Sequence, residues 1–83
     1  MPFYVYLLEC CDKSLYCGST KNLEKRLALH GRGKASKYTR SKLPVKLVFS
    51  EAKKTRREAM KREAEIKKLS RRAKLKLVQS RQK

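Results

Sequence analysis

The sequence predicts an α+β fold, a small three-stranded antiparallel sheet flanked by helices in the order β-β-α-β-α-α. Three observations carry that prediction. A continuous apolar run from Phe3 to Cys10 is followed by turn residues and a short return segment. A second stretch of alternating residues opens at Pro44, and helical spacing with capping signals begins at Asn22 and again at Thr55. Elements of this mixture pack as helices on an antiparallel sheet around one core, and no internal repeat suggests an array.

Phe3 to Cys10 is rich in aromatic and β-branched residues and has no polar alternation, as expected of a strand covered on both faces. Cys11-Asp12-Lys13-Ser14 supplies turn chemistry, so Leu15 to Ser19 reads as the antiparallel return of a hairpin, with Tyr6 and Tyr16 on neighbouring strands. Leu23, Leu27 and His30 then recur at helical spacing, with Asn22 as N-cap and Gly31 as a stop. Gly31 to Lys42 has glycines, hydroxyl residues and cations without a period, which predicts a mobile surface loop able to hold a phosphate.

After Pro44, the residues Val45, Leu47 and Phe49 alternate with Lys46, Val48 and Ser50, predicting a strand with the first set buried. Thr55 and Glu58 form a capping-box pattern before helix formers that run from Arg56 to Leu69. Ser70 recaps a last helix to about Val78, with Ala73, Leu77 and Val78 on one side and cations elsewhere, and Gln79 to Lys83 is expected to fray. The 83 residues are expected to form a single domain (1–83), with its core over about 3–69 and a basic helix and tail over about 70–83.

The 24 Lys and Arg against seven acids give a net charge of +17, a field that attracts polyanions, with nucleic acid the leading partner. The longest apolar run is too short to span a bilayer, which takes about 20 residues, and no secretory signal opens the chain, so a cytoplasmic location is expected. Cys10, Cys11 and Cys17 lack C-x-x-C spacing and are expected to be buried, inert thiols.

Glu63 is the most diagnostic acid. It lies four residues after Ala59 and three before Ile66, on the stripe of its helix that faces the core. A carboxylate there must pair with a cation, reach solvent at a groove, or bind a metal. His30 fits a satisfied core or helix-end imidazole as well as a catalytic one, and Tyr6 and Tyr16 fit core phenols with bonded hydroxyls. A dense cationic field favours the ionised form of a phenol, which makes such a chain suited to using tyrosine as a base.

The joint pattern is more specific: two strand tyrosines, Arg26 ten residues after the second, His30 one helical turn later, then Glu63. Here the chain resembles the GIY-YIG nuclease family, with Tyr4-Val5-Tyr6 at the first motif and Tyr16-Cys17-Gly18 at the second, over about Phe3 to Leu69. It is most similar to short, stand-alone bacterial members, marked by Tyr38-Thr39-Arg40 and Arg62-Glu63-Ala64-Glu65-Ile66-Lys67. The resemblance implies phosphodiester hydrolysis with one divalent cation, Mg²⁺ or Mn²⁺, held by Glu63 as its protein ligand.

It further implies that Tyr16 rather than Tyr6 accepts a proton from water, that Arg26 stabilises phosphoryl charge, and that His30 serves the tyrosine pair. Lys34, Lys37, Tyr38, Arg40 and Lys42 in the loop, with Arg71 and Arg72, are candidates for contacting nucleic acid, DNA ahead of RNA. Tyr4 replaces the first motif's glycine and Cys17 the second motif's isoleucine, leaving the chemical groups in place. Ser19 stands where excision-repair relatives carry a lysine, and the late asparagine of some homing relatives is missing. No appended DNA-reading module is recognisable, so target choice is expected from nucleic-acid shape or from a protein partner. A non-catalytic basic binding module is the alternative.

Overall fold

A computed structural model describes residues 2–81, with side chains through Gln79. Strands β1 (Phe3–Glu9), β2 (Leu15–Thr20) and β3 (Lys46–Lys53) form one antiparallel sheet in the order β2-β1-β3. Helices α1 (Leu23–Gly31) and α2 (Lys37–Arg40) lie between β2 and β3 in sequence, and α3 (Arg56–Lys67) and α4 (Arg71–Arg81) follow β3. The expected α+β architecture is therefore present.

The central strand is covered on both sides, as its uninterrupted apolar sequence requires, and Val5, Tyr6, Leu7 and Leu8 are all buried. Because side chains alternate across a strand, Val5 and Leu7 face one way, into a core with Cys17, Phe49, Ala59, Ile66 and Val78 beneath α3 and α4. Tyr6 and Leu8 face the other way, where buried His30 from α1 and Thr39 from α2 cover them. The β1–β2 register sets Tyr6 opposite Gly18 and Leu8 opposite Tyr16, so the two motif tyrosines share that second face. Cys17 and Ser19 point to the α3 side.

The helix caps follow the sequence signals. Asn22 accepts from the Lys25 N–H and Thr55 from the Glu58 N–H, each at about 3 Å, and Ser70 accepts from the Ala73 N–H. Such caps satisfy backbone donors that the helix itself leaves unpaired.

Four expectations need correction. The segment Gly31–Lys42 is not a structureless loop. Ser36 caps the short helix α2 by accepting from the Tyr38 N–H, Thr39 is anchored on His30, and the Cys11 N–H donates to the Lys42 carbonyl at 3.0 Å. Its lack of apolar periodicity hid it because one buried threonine and one stacked tyrosine, rather than an apolar stripe, hold it down. In β3 the alternation breaks. Leu7 pairs with Phe49 but Leu8 with Leu47, so Val48 forms a bulge that leaves Leu47 exposed and turns Val48 toward the core. One extra residue reverses the facing of everything beyond it.

Helix α4 continues past Val78 through Arg81, so fraying does not begin at Gln79; Gln82 and Lys83 lie outside the described residues. Finally, Cys10 and Cys17 are buried but Cys11 is exposed in the hairpin turn. Among the described residues no helix is long and apolar enough to cross a membrane.

Candidate active site

Tyr6 runs from the middle of β1 across the backbone of Gly18. A Cβ built on Gly18 would stand 2.6 Å from the Tyr6 hydroxyl, 2.8 Å from its Cζ and 3.2 Å from the Tyr16 ring. The second motif therefore ends in glycine because only a bare backbone leaves room for the phenol of the first. The Tyr6 hydroxyl reaches His30 Nε2 at 2.9 Å, and His30 Nδ1 lies 2.9 Å from Thr39 Oγ1.

The proton positions along this chain follow from its end. Thr39 spends its hydroxyl proton on the Ser36 carbonyl at 3.3 Å, so its oxygen accepts from His30 Nδ1–H. Nε2 is then the bare nitrogen, and the Tyr6 O–H donates to it. Burial, then the Arg26 guanidinium, push the His30 pKa below the ordinary imidazole value, which keeps the ring neutral at pH 7. Burial, then the neighbouring Tyr16, push the Tyr6 phenol well above its ordinary value, so Tyr6 holds its proton.

Tyr16 completes the aromatic group. Its ring lies edge-on to His30 at 5.3 Å between centroids, 6.5 Å from Tyr6, and stacked on Tyr38 at 5.8 Å. Lys42 Nζ sits 4.5 Å above the Tyr38 ring and 2.7 Å from Asp12 Oδ2, joining α2 to the hairpin turn.

Glu63 projects from α3 beside the edge strand β2, half-buried, on the flank of the Ala59 and Ile66 stripe. Both its oxygens have partners: the Ser19 hydroxyl donates to Oε1 at 2.6 Å, and Lys67 Nζ is 2.7 Å from Oε2. Burial, then the Glu63 charge, raise the Cys17 thiol to about 11, so that buried sulfur stays protonated. Glu63 and Arg26 together line a groove of about 420 Å³ beside β2, with Ser19 and Thr20 also in its lining.

Tyr6 and Tyr16 do not line that groove; they occupy the other face of the sheet. The two sets are still electrostatic neighbours, because the charges of both Arg26 and Glu63 act on the Tyr6 phenol. The nucleic-acid candidates separate into three places. Lys34, Lys37 and Arg40 line one concavity around α2, Tyr38 stacks on Tyr16 with Lys42 over the Tyr38 ring, and Arg71 and Arg72 line a concavity on α4.

Among the described residues no cluster of three or more histidine, cysteine or acidic side chains could cage an ion. The donor set instead suits a hard divalent cation that keeps most of its water and takes one carboxylate. Glu63 is such a carboxylate, and the exposed Lys67 ammonium that now neutralises it can swing into solvent.

Sequence reasoning missed three partners. Thr39 was visible only as part of a tripeptide, Lys67 was signalled by its i,i+4 spacing from Glu63, and Ser19 had no signal of its own.

A sheet with this register and these side chains defines a GIY-YIG domain, and the chain belongs to that family: the GIY-YIG catalytic domain matches residues 2–76. Among its relatives, a UPF0213 protein of Staphylococcus haemolyticus is 50% identical over 78 residues, covering 94% of this chain and 95% of that one. The solution NMR structure of the UPF0213 protein BH0048 from Bacillus halodurans is 46% identical, with a TM-score of 0.64, and covers 98% of this chain and 86% of that chain. The solution NMR structure of the protein EF2693 from E. faecalis is 40% identical with a TM-score of 0.66, covering 96% and 85%. Family membership supports a nuclease-type function on nucleic acid.

Proposed function

We propose that this protein is an endonuclease that hydrolyses phosphodiester bonds, in DNA ahead of RNA, with one Mg²⁺ or Mn²⁺ held at Glu63. The observation that carries this reading is that a buried Tyr6–His30–Thr39 hydrogen-bond chain and a groove containing Arg26 and Glu63 flank β2 from opposite faces of the sheet, near enough for both charges to act on the Tyr6 phenol. When bound, the divalent ion supplies Lewis-acid stabilisation of charge on the phosphate and leaving oxygens.

The side chains divide the remaining work. Tyr6 keeps its proton on the bond to neutral His30, which favours Tyr16, edge-on to the same imidazole, as the base. Tyr16 releases its own hydroxyl proton to solvent and then takes the proton of the attacking water. His30 holds the Tyr6 hydroxyl through Nε2 and packs its ring edge-on against Tyr16, which orients both phenols. Arg26 opposes the negative charge that grows on the phosphoryl oxygens. The loop and helix cations hold the backbone of the nucleic acid, and target choice comes from its shape or from a protein partner. The cytoplasm, where such substrates are found, is the location consistent with this role.

A second reading has its own support. Ser19 and Lys67 give each Glu63 oxygen a partner without a metal, as a non-catalytic basic nucleic-acid-binding module would have it. Supercoiled, branched and single-stranded substrates incubated with Mg²⁺ or Mn²⁺ separate the two. The nuclease reading expects cleavage that chelator, Glu63→Ala and Arg26→Ala each abolish while binding survives; binding without product under every condition would leave the module.

A further inference from the structure

The groove beside Glu63 holds more than the candidate catalytic groups. Its lining also includes Lys21, which precedes the α1 cap, and Arg56, the first residue of α3. Phe3 and Met60 line the same groove. Among the described residues, Lys21, Arg26 and Arg56 make no ion pair, whereas Glu63, the one acid lining the groove, is already neutralised by Lys67. Three uncompensated cations around one neutralised acid make an anion site, and more positive charge than a single phosphodiester needs.

The apolar part points to what accompanies the anion. Met60 is 53% exposed on a helix otherwise rich in charge, and it lines this groove. A thioether beside a phenyl ring offers a soft, adaptable surface to a flat apolar group. The volume, about 420 Å³, lies within the range of sites that take small organic ligands.

We infer that Lys21, Arg56, Met60 and Phe3 form a subsite for the nucleotide next to the reacting bond, the cations holding its phosphate and the apolar pair its nucleoside. The inference rests on the nuclease reading only for the word reacting; the subsite itself is a binding property. It also gives exposed Met60 an apolar group to cover it.

Binding of a fluorescein-labelled thymidine octamer in EDTA, across a salt series, tests this without turnover. Lys21→Ala and Arg56→Ala are each expected to reduce the slope of log K against log salt by about 0.7, the value for one single-strand phosphate contact. Met60→Ala is expected to weaken octamer binding about threefold to tenfold, the loss of a partly buried apolar contact, with the slope unchanged. Binding of inorganic polyphosphate, which has no nucleosides, should be unaffected by Met60→Ala.

Wild-type octamer affinity in Met60→Ala, unaltered slopes in the two cation variants, or equal loss of octamer and polyphosphate binding in Met60→Ala would each overturn the subsite. Because Met60 is exposed, its truncation should leave the circular dichroism spectrum and melting temperature intact. Failure of the two ideas is separable. Octamer binding that depends on these residues in a protein that never cleaves keeps the subsite and removes the nuclease; cleavage that needs Glu63 in a protein indifferent to Met60, Lys21 and Arg56 does the reverse.

Discussion

Substituting Gly18 by alanine probes the packing that brings the two motifs together. The new Cβ would lie 2.6 Å from the Tyr6 hydroxyl and 2.8 Å from Cζ, whereas carbon contacts settle near about 3.5 Å. Tyr6 is 1% exposed, so its ring has no free space to take up the difference. Displacing it breaks the 2.9 Å bond to His30, costing about 1 kcal/mol, and overpacking adds about 1–3 kcal/mol. Alanine restricts the unfolded chain and returns about 0.4–1 kcal/mol, which leaves a net loss of about 2 kcal/mol.

Urea denaturation measures this directly, as a lower midpoint at unchanged slope, and a chain of this size should melt about 8–16 °C lower. Adding Tyr6→Phe removes the closest contact, so the double variant should be more stable than the summed single losses by at least about 0.5 kcal/mol. Gly18→Ala protein within about 0.5 kcal/mol of wild type, or strictly additive losses, would refute the argument that the glycine exists to admit the phenol.

Three further outcomes follow from the same chain and its neighbours. Thr39→Val keeps the shape but removes the oxygen that accepts from His30 Nδ1, leaving a buried N–H unpaired; denaturation should show a loss of about 1–3 kcal/mol. Because the folded His30 pKa lies below the unfolded value of about 6.5, the unfolded chain binds the extra proton, so stability should fall as pH drops below about 6.5. Urea midpoints between about pH 7 and pH 5 should show this slope, and His30→Gln should flatten it, since carboxylates titrate lower, near about pH 4. Lys67 stands where the proposed ion would meet Glu63, and the hydrogen bond between them holds its ammonium pKa above the ordinary lysine value. Lys67→Met should therefore tighten Mn²⁺ binding by about tenfold in a calorimetric or spin-resonance titration; unchanged or weaker binding would separate the ion from Glu63.

Much of this arrangement was legible in the residues. The apolar run of β1 announced a doubly covered strand, Asn22, Thr55 and Ser70 announced three helix starts, and the motif spacing selected Tyr6, Tyr16, Arg26, His30 and Glu63. Local signals failed where nonlocal contacts decide. Helix α2 forms because Thr39 meets His30 and Tyr38 meets Tyr16, contacts that no window of sequence contains. The Val48 bulge depends on how β3 meets β1, so alternation placed Phe49 correctly in the core but exchanged Leu47 and Val48. The groove was invisible for the same reason, since Lys21, Arg56 and Met60 look like surface residues until β2 and α3 are set side by side. Glu63 was open between an ion pair and a metal, and its contact with Lys67 supplies the first without removing the second.

The claim at the centre is that the aromatic chain and the Glu63 groove serve one phosphodiester. Single-turnover cleavage of a labelled oligonucleotide by Tyr16→Phe, Glu63→Gln and the double variant tests it most directly. Each single change should slow cleavage at least about a hundredfold, and the double variant should be scarcely slower than the worse single, because groups that act as a unit are not additive. Cleavage by Glu63→Gln at the wild-type rate, or losses that multiply in the double variant, would contradict it.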